Sequence, residues 1–158
     1  MSELVLRNRQ RVRGVDLRQL RRIAGATLEG LLNLRVYELG VHLVGAREMA
    51  ALNETFLGQD GSTDVITFDH SEAAAEPGLR GELFICLDDA VVQARQFGTT
   101  WQAEVIRYLV HGVLHLRGYD DRDPACRRRM KREEDRLVKE LGRHFDLSRL
   151  NRRPRLRS

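Results

Sequence analysis

The run His111-Gly-Val-Leu-His115-Leu-Arg-Gly118-Tyr-Asp120-Asp121 constrains this chain more than any other feature. His111 and His115 stand four residues apart in an apolar-periodic stretch. On a helix that spacing stacks both imidazoles on one face, where they can grip one metal ion. Gly118 follows three residues after His115. A glycine there can take the left-handed turn that ends a helix and swings the chain back. A carboxylate beyond the turn, Asp120 or Asp121, can then reach the same ion as a third ligand. Three protein ligands and an open fourth position describe a catalytic zinc site, not a structural one.

At 158 residues the chain is long enough for one domain with an ordinary hydrophobic core, and it contains no apolar run long enough to cross a bilayer. Its first residues lack the basic-then-apolar order of a signal peptide. Cys86 and Cys126 are far apart and in no Cys-x-x-Cys pattern, which predicts two reduced thiols in a cytoplasmic protein. The domain is expected to span 1–148, with 149–158 a basic, disordered tail carrying Arg149, Arg152, Arg153, Arg155 and Arg157. With a net charge of +4, such a tail suits an anionic partner such as RNA, or merely keeps the chain soluble.

Periodicity and punctuation predict alternating strands and helices. Leu4 to Leu6, Leu34 to Val44, Asp64 to Phe68 and Glu82 to Leu87 read as strands. Asp16 caps a helix carrying Leu17, Leu20, Ile23, Ala24, Leu28 and Leu31, and a second helix covers Ala46 to Leu57. The small, acidic stretch from His70 to Gly78, with Pro77, is a loop. Asp88 and Asp89 open a helix that Gly98 ends, and Thr100 caps the histidine helix. Pro124 starts a last helix to Leu141, with Gly142 as its stop. The order predicts an α+β domain, a small mixed sheet of about four strands packed with about five helices.

On the wheel of the histidine helix, Val105, Ile106, Leu109, Val113 and Leu116 share an apolar arc. His111 and His115 fall opposite it with Glu104, Arg107 and Tyr108, facing a cleft or solvent. The pattern His-x3-His-x2-Gly-x2-Asp is a metzincin-like ligand spacing with Asp for the third His. Zinc proteases place their general base directly after the first His. Here that position is Gly112, which argues against peptide hydrolysis. Glu104 lies about 10 Å upstream along the axis at 1.5 Å per residue, as a group orienting an imidazole or a surface residue. The mixed run Arg127, Arg128, Arg129, Lys131, Arg132, Glu133, Glu134, Asp135 reads mainly as a solvated helix face.

His-Gly-Val-Leu-His-Leu-Arg-Gly-Tyr-Asp resembles the signature of the YbeY family, zinc-dependent bacterial endoribonucleases of ribosomal RNA maturation. Upstream, Leu52-Asn53, Thr63-Asp64-Val65-Ile66-Thr67-Phe68 and Gly81-Glu82-Leu83 look like further family motifs, and Met130 fits its closing helix. The resemblance implies a mixed sheet packed with helices and one zinc ion held by His111, His115 and Asp121, where the family has His at the third position. It also implies a partner, the ribosome or its RNA, and a role in single-strand cleavage, 3′ end maturation of small-subunit ribosomal RNA and ribosome quality control. The family's Arg and a nearby Lys, thought to serve catalysis or RNA binding, are Leu57 and Gln59 here. Arg80, Arg117 and Arg122 are the candidate substitutes for binding substrate.

Two rival readings stand beside this one. The first is a metal-dependent hydrolase of another substrate, protease-like in its ligand spacing. The second is a ribosome-associated RNA-binding factor without catalysis, because Leu57 and Asp121 both depart from the family pattern.

Overall fold

The computed structural model describes residues 2–73 and 76–152. Four strands form one sheet in the order β1-β2-β4-β3, with β1 Ser2–Arg9, β2 Tyr37–Val44, β3 Val65–Asp69 and β4 Leu79–Cys86. β1, β2 and β4 are parallel, and β3 runs antiparallel along the edge of β4. Five α-helices accompany them: α1 Leu17–Gly25, α2 Ala46–Leu52, α3 Leu87–Phe97, α4 Trp101–Leu116 and α5 Pro124–His144. This is the expected α+β architecture with a mixed sheet.

Strand alternation splits the core. Leu39, Val41, Leu43, Leu83 and Ile85 face one side, where they meet α1, α4 and α5 through Leu20, Ile23, Leu109, Val113 and Leu137. Val44, Ile66, Phe84 and Cys86 face the other side, where Met49 of α2 covers them. α4 lies unusually close to β4. A Cβ on Gly112 would fall 2.6 Å from Leu83 Cδ2, and one on Gly81 would fall 2.6 Å from Leu116 Cδ2. Both positions therefore need glycine for packing.

Local capping chemistry sets most boundaries. Asp16 accepts from the Arg18 and Gln19 amides, Thr100 from Ala103 and Asp123 from Cys126, and Gly98 ends α3 in the left-handed region at φ 69. The two upstream helices reach the expected Leu31 and Leu57, but their last turns change geometry. α1 and α2 each widen into a π-turn, Ala26–Leu31 and Asn53–Leu57. α5 does not stop at Gly142; it runs to His144, because Gly142 keeps helical geometry with open space around it.

Part of the expected basic tail is docked. Leu150 is fully buried, its carbonyl accepts from the Asp16 amide, and Asn151 bridges Val15. Residues 153–158, with Arg153, Arg155 and Arg157, lie outside the described residues. Among the described residues no helix is long and apolar enough to cross a membrane. Cys86 is buried and Cys126 half-buried, both as free thiols.

Candidate metal centre

α4 ends at Leu116, with Arg117 as its C-cap, and its ending builds the site. Gly118 adopts φ 98, its amide donates to the His115 carbonyl, and the Tyr119 amide reaches back to Leu114. This paired bonding is a Schellman turn, and only glycine takes its left-handed residue without strain. The turn then positions the candidate ligands. The Tyr119 carbonyl accepts a hydrogen bond from His115 Nδ1 at 3.1 Å. The chain continues back along α4 and brings Asp121 to the histidines.

His111 is held from the other side. Its Nδ1 donates to Glu134 Oε1 of α5 at 2.7 Å. A carbonyl and a carboxylate can only accept, so both imidazoles carry their proton on Nδ1 and present Nε2 as a lone pair. The two Nε2 atoms face each other at 3.2 Å. At that separation the two nitrogens must share a cation, either a proton held between them or a metal ion that draws on both lone pairs. Asp121 completes the set, with the ligand atoms of His111, His115 and Asp121 all within 4.8 Å of one another. This donor set can hold a metal ion, with nitrogen and oxygen ligands of the kind zinc takes.

Electrostatics around the pair are asymmetric. Burial disfavours charge on His111, but the Glu134 hydrogen bond and charge outweigh it and hold the pKa above the ordinary imidazole value. Burial and the neighbouring His111 push His115 below that value. Burial likewise opposes ionisation of Glu134, yet hydrogen bonds from His111 and Arg107 keep it below the usual carboxylate range. Arg107 donates to Glu134 Oε2 at 2.7 Å and to Asp135 at 2.8 Å.

His111 opens onto a cleft of about 260 Å³ lined by Asp64, Tyr108, Asp121, Arg127, Lys131 and Glu134 among others. The face opposite the apolar arc of α4 is thus a cleft wall, and α5 shields much of it. Glu104 is buried and accepts from Thr99 Oγ1 at 2.6 Å, so it orients no imidazole. Glu134, hidden in a charged run that reads as solvated, holds that role instead. Its signal was faint: an i+4 step from Met130, itself in the core. Tyr108 is buried, lines the cleft, and its hydroxyl has no hydrogen-bond partner among the described residues. Burial, then the Asp64 and Glu104 charges, raises its pKa and keeps the phenol protonated.

The three arginines proposed for substrate are not among the residues that line this cleft. Arg80 lies on the α2 side of the sheet, in a separate cavity with Glu38, His42, His70 and Glu82, where it donates to the Glu76 carbonyl at 2.6 Å. Arg117 lines a groove beyond the turn with Asp120, Cys126 and Arg129. Arg122 is 86% exposed and pairs with Asp120 at 3.4 Å. Leu57 is exposed on the π-turn after α2, beside exposed Phe56.

Residues 5–142 match the family model described as Endoribonuclease YbeY. An Endoribonuclease YbeY of Anaeromyxobacter sp. (strain Fw109-5) is 43% identical over 125 residues, covering 79% of this chain and 65% of that protein. One from Chlorobium phaeovibrioides is 41% identical over 98 residues, covering 62% of this chain and 64% of that protein. The matched regions thus span just under two thirds of these relatives. The solution structure of TM1509 from Thermotoga maritima superposes with a TM-score of 0.64 at 26% identity, over 89% of this chain and 90% of that one. With the family model covering most of the sheet, the histidine helix and most of α5, the chain belongs to the YbeY family.

Proposed function

We propose that the protein is a metal-dependent, single-strand-specific endoribonuclease of ribosomal RNA processing, with one zinc ion held by His111, His115 and Asp121. The observation that carries this reading is the convergence of two Nε2 lone pairs at 3.2 Å, each fixed by an acceptor on its Nδ1. The family match directs that chemistry to RNA. Maturation of the small-subunit ribosomal RNA 3′ end and ribosome quality control are the cellular roles this reading assigns, with the ribosome as partner and the cytoplasm as its place.

When bound, zinc supplies Lewis acidity toward the scissile phosphate and toward a water. The chain's own residues do the rest. Glu134 and the Tyr119 carbonyl lock the imidazole tautomers. Asp121 contributes an anionic ligand where the family has a neutral imidazole, which lowers the net charge of the centre and leaves the nucleophile less acidic. Tyr108 offers the cleft a protonated hydroxyl, placed to donate to a phosphate oxygen as its charge grows. Gly112, packed against Leu83, leaves no side chain where zinc proteases carry their base, which sets the protease reading aside.

Cleavage of single-stranded RNA before and after chelation tests this. The activity disappears with metal removal and in His115→Ala, and zinc restores it only to the wild type. RNA cleavage that survives either treatment overturns the mechanism, and RNA binding without any turnover favours the non-catalytic rival.

A further inference from the structure

We infer that the exposed basic ridge at the start of α5, Arg127, Arg128, Lys131 and Arg132, is the track that binds the phosphate backbone of single-stranded RNA and leads it to the metal cleft. The inference rests on the reading above and names the surface that holds its substrate.

Arg127 and Lys131 line the metal cleft together with His111 and Asp121. The same two residues line an adjoining groove of about 590 Å³ whose other walls are Pro124, Arg128 and Arg132. The two spaces therefore adjoin along one helix face, with Arg127 and Lys131 bordering both. Residues 127 and 131, and 128 and 132, are i,i+4 pairs, each about 6 Å apart along the axis. They form two parallel columns of cations, and all four side chains are exposed.

Which of these charges are free decides what the ridge can do. Arg107 is committed to Glu134 and Asp135. Lys131 lies 3.5 Å from Glu134 and 3.3 Å from Asp135, so part of its charge is answered within the protein. Among the described residues, Arg127, Arg128 and Arg132 have no carboxylate in ion-pair range. Unanswered guanidiniums beside a metal cleft match a polyanion, and guanidinium geometry matches phosphate in particular. A flexible single strand can follow such columns without base readout, since backbone charge dominates its affinity.

The test uses the full chain and a fluorescent oligouridylate of about 12 nucleotides, within the footprint such grooves cover. Binding is measured with EDTA present, over a range of salt, for the wild type, Arg128→Glu/Arg132→Glu, the milder Arg128→Ala/Arg132→Ala, and Arg11→Glu as a control on an exposed arginine away from the site. Each phosphate contact adds about 0.7 to the salt slope of log K for single strands, so losing two lowers it by about 1.4. The charge-reversed pair binds about tenfold or more weakly at low salt, the alanine pair less severely, and the control binds as wild type. With zinc restored, KM rises and kcat holds. Unchanged affinity and slope in both ridge variants overturn the ridge, as does an equal loss in Arg11→Glu. Because binding is read without metal, a wild type that binds through the ridge but never cleaves contradicts the endoribonuclease reading alone. Metal-dependent cleavage that the ridge variants retain at wild-type KM contradicts the ridge alone.

Discussion

Glu134 accepts the Nδ1 proton of His111 at 2.7 Å, a contact that joins α5 to the histidine helix α4. Its second oxygen holds Arg107 at 2.7 Å, so one buried carboxylate ties a ligand to a cation. Such acceptors set imidazole orientation and basicity, and their loss weakens metal binding by roughly 10–100-fold. Glu134→Ala is expected to show a loss of that size in a chelator-competition titration of zinc. Glu134→Gln, which keeps an acceptor but no charge, falls between. Zinc affinity unchanged in Glu134→Ala would show that the carboxylate merely pairs with Arg107.

Tyr108→Phe removes only the unpartnered hydroxyl in the cleft. A donor aimed at developing charge is worth about 10²–10³ in kcat. Single-turnover cleavage should slow by about that factor while zinc affinity and RNA binding stay at wild-type values. A variant that cleaves at the normal rate removes Tyr108 from the chemistry.

Two glycines are expected to respond in opposite directions to alanine. At Gly112 the new methyl meets Leu83 Cδ2 at 2.6 Å, so α4 must shift from the sheet, at a cost of about 1–3 kcal/mol. At Gly142 nothing lies within 4 Å of the new methyl, and the position is an exposed helix interior. There alanine stabilises by about 0.5–1 kcal/mol. Denaturant unfolding of the metal-free proteins measures both, and a Gly112→Ala protein as stable as wild type would refute the close packing of α4 on β4.

The behaviour of Glu82 predicts a pH dependence on the other side of the sheet. His70 and His42 bond its two oxygens at 3.0 and 2.9 Å. The His70 hydrogen bond, opposed by burial and joined by His42, holds the carboxyl below its ordinary value. A depressed folded-state pKa stabilises the protein above the unfolded pKa of about 4.3, and that contribution disappears as pH falls through the folded value. Between about pH 5 and 3 the wild type should therefore lose stability more steeply than Glu82→Gln. Parallel curves would mean that the histidines do not bias this carboxylate.

What could be read from the chain follows the range of the interactions. Asp16, Thr100 and Asp123 cap helices through amides two or three residues away, and Gly118 shapes its own turn, so these features are written locally. His111, His115 and Asp121 belong to one short run and are legible for the same reason. Glu134 and Tyr108 were not. Glu134 meets His111 across 23 residues, and only its i+4 step from the core residue Met130 sets the buried glutamate apart from its solvated neighbours. Tyr108 sits on the polar side of the wheel and becomes buried only because other elements pack there. Gly142 was misleading in the other direction, since a glycine that ends a helix and one that the helix passes through look alike until φ is known.

The central claim is that one zinc ion sits among His111, His115 and Asp121. A crystal grown with one equivalent of zinc and measured on both sides of the zinc absorption edge tests it directly. The account predicts a single strong anomalous peak bonded to both Nε2 atoms and an Asp121 oxygen, with a fourth position open to solvent. A peak ligated by Asp120 in place of Asp121, or no peak between the two imidazoles, would contradict it.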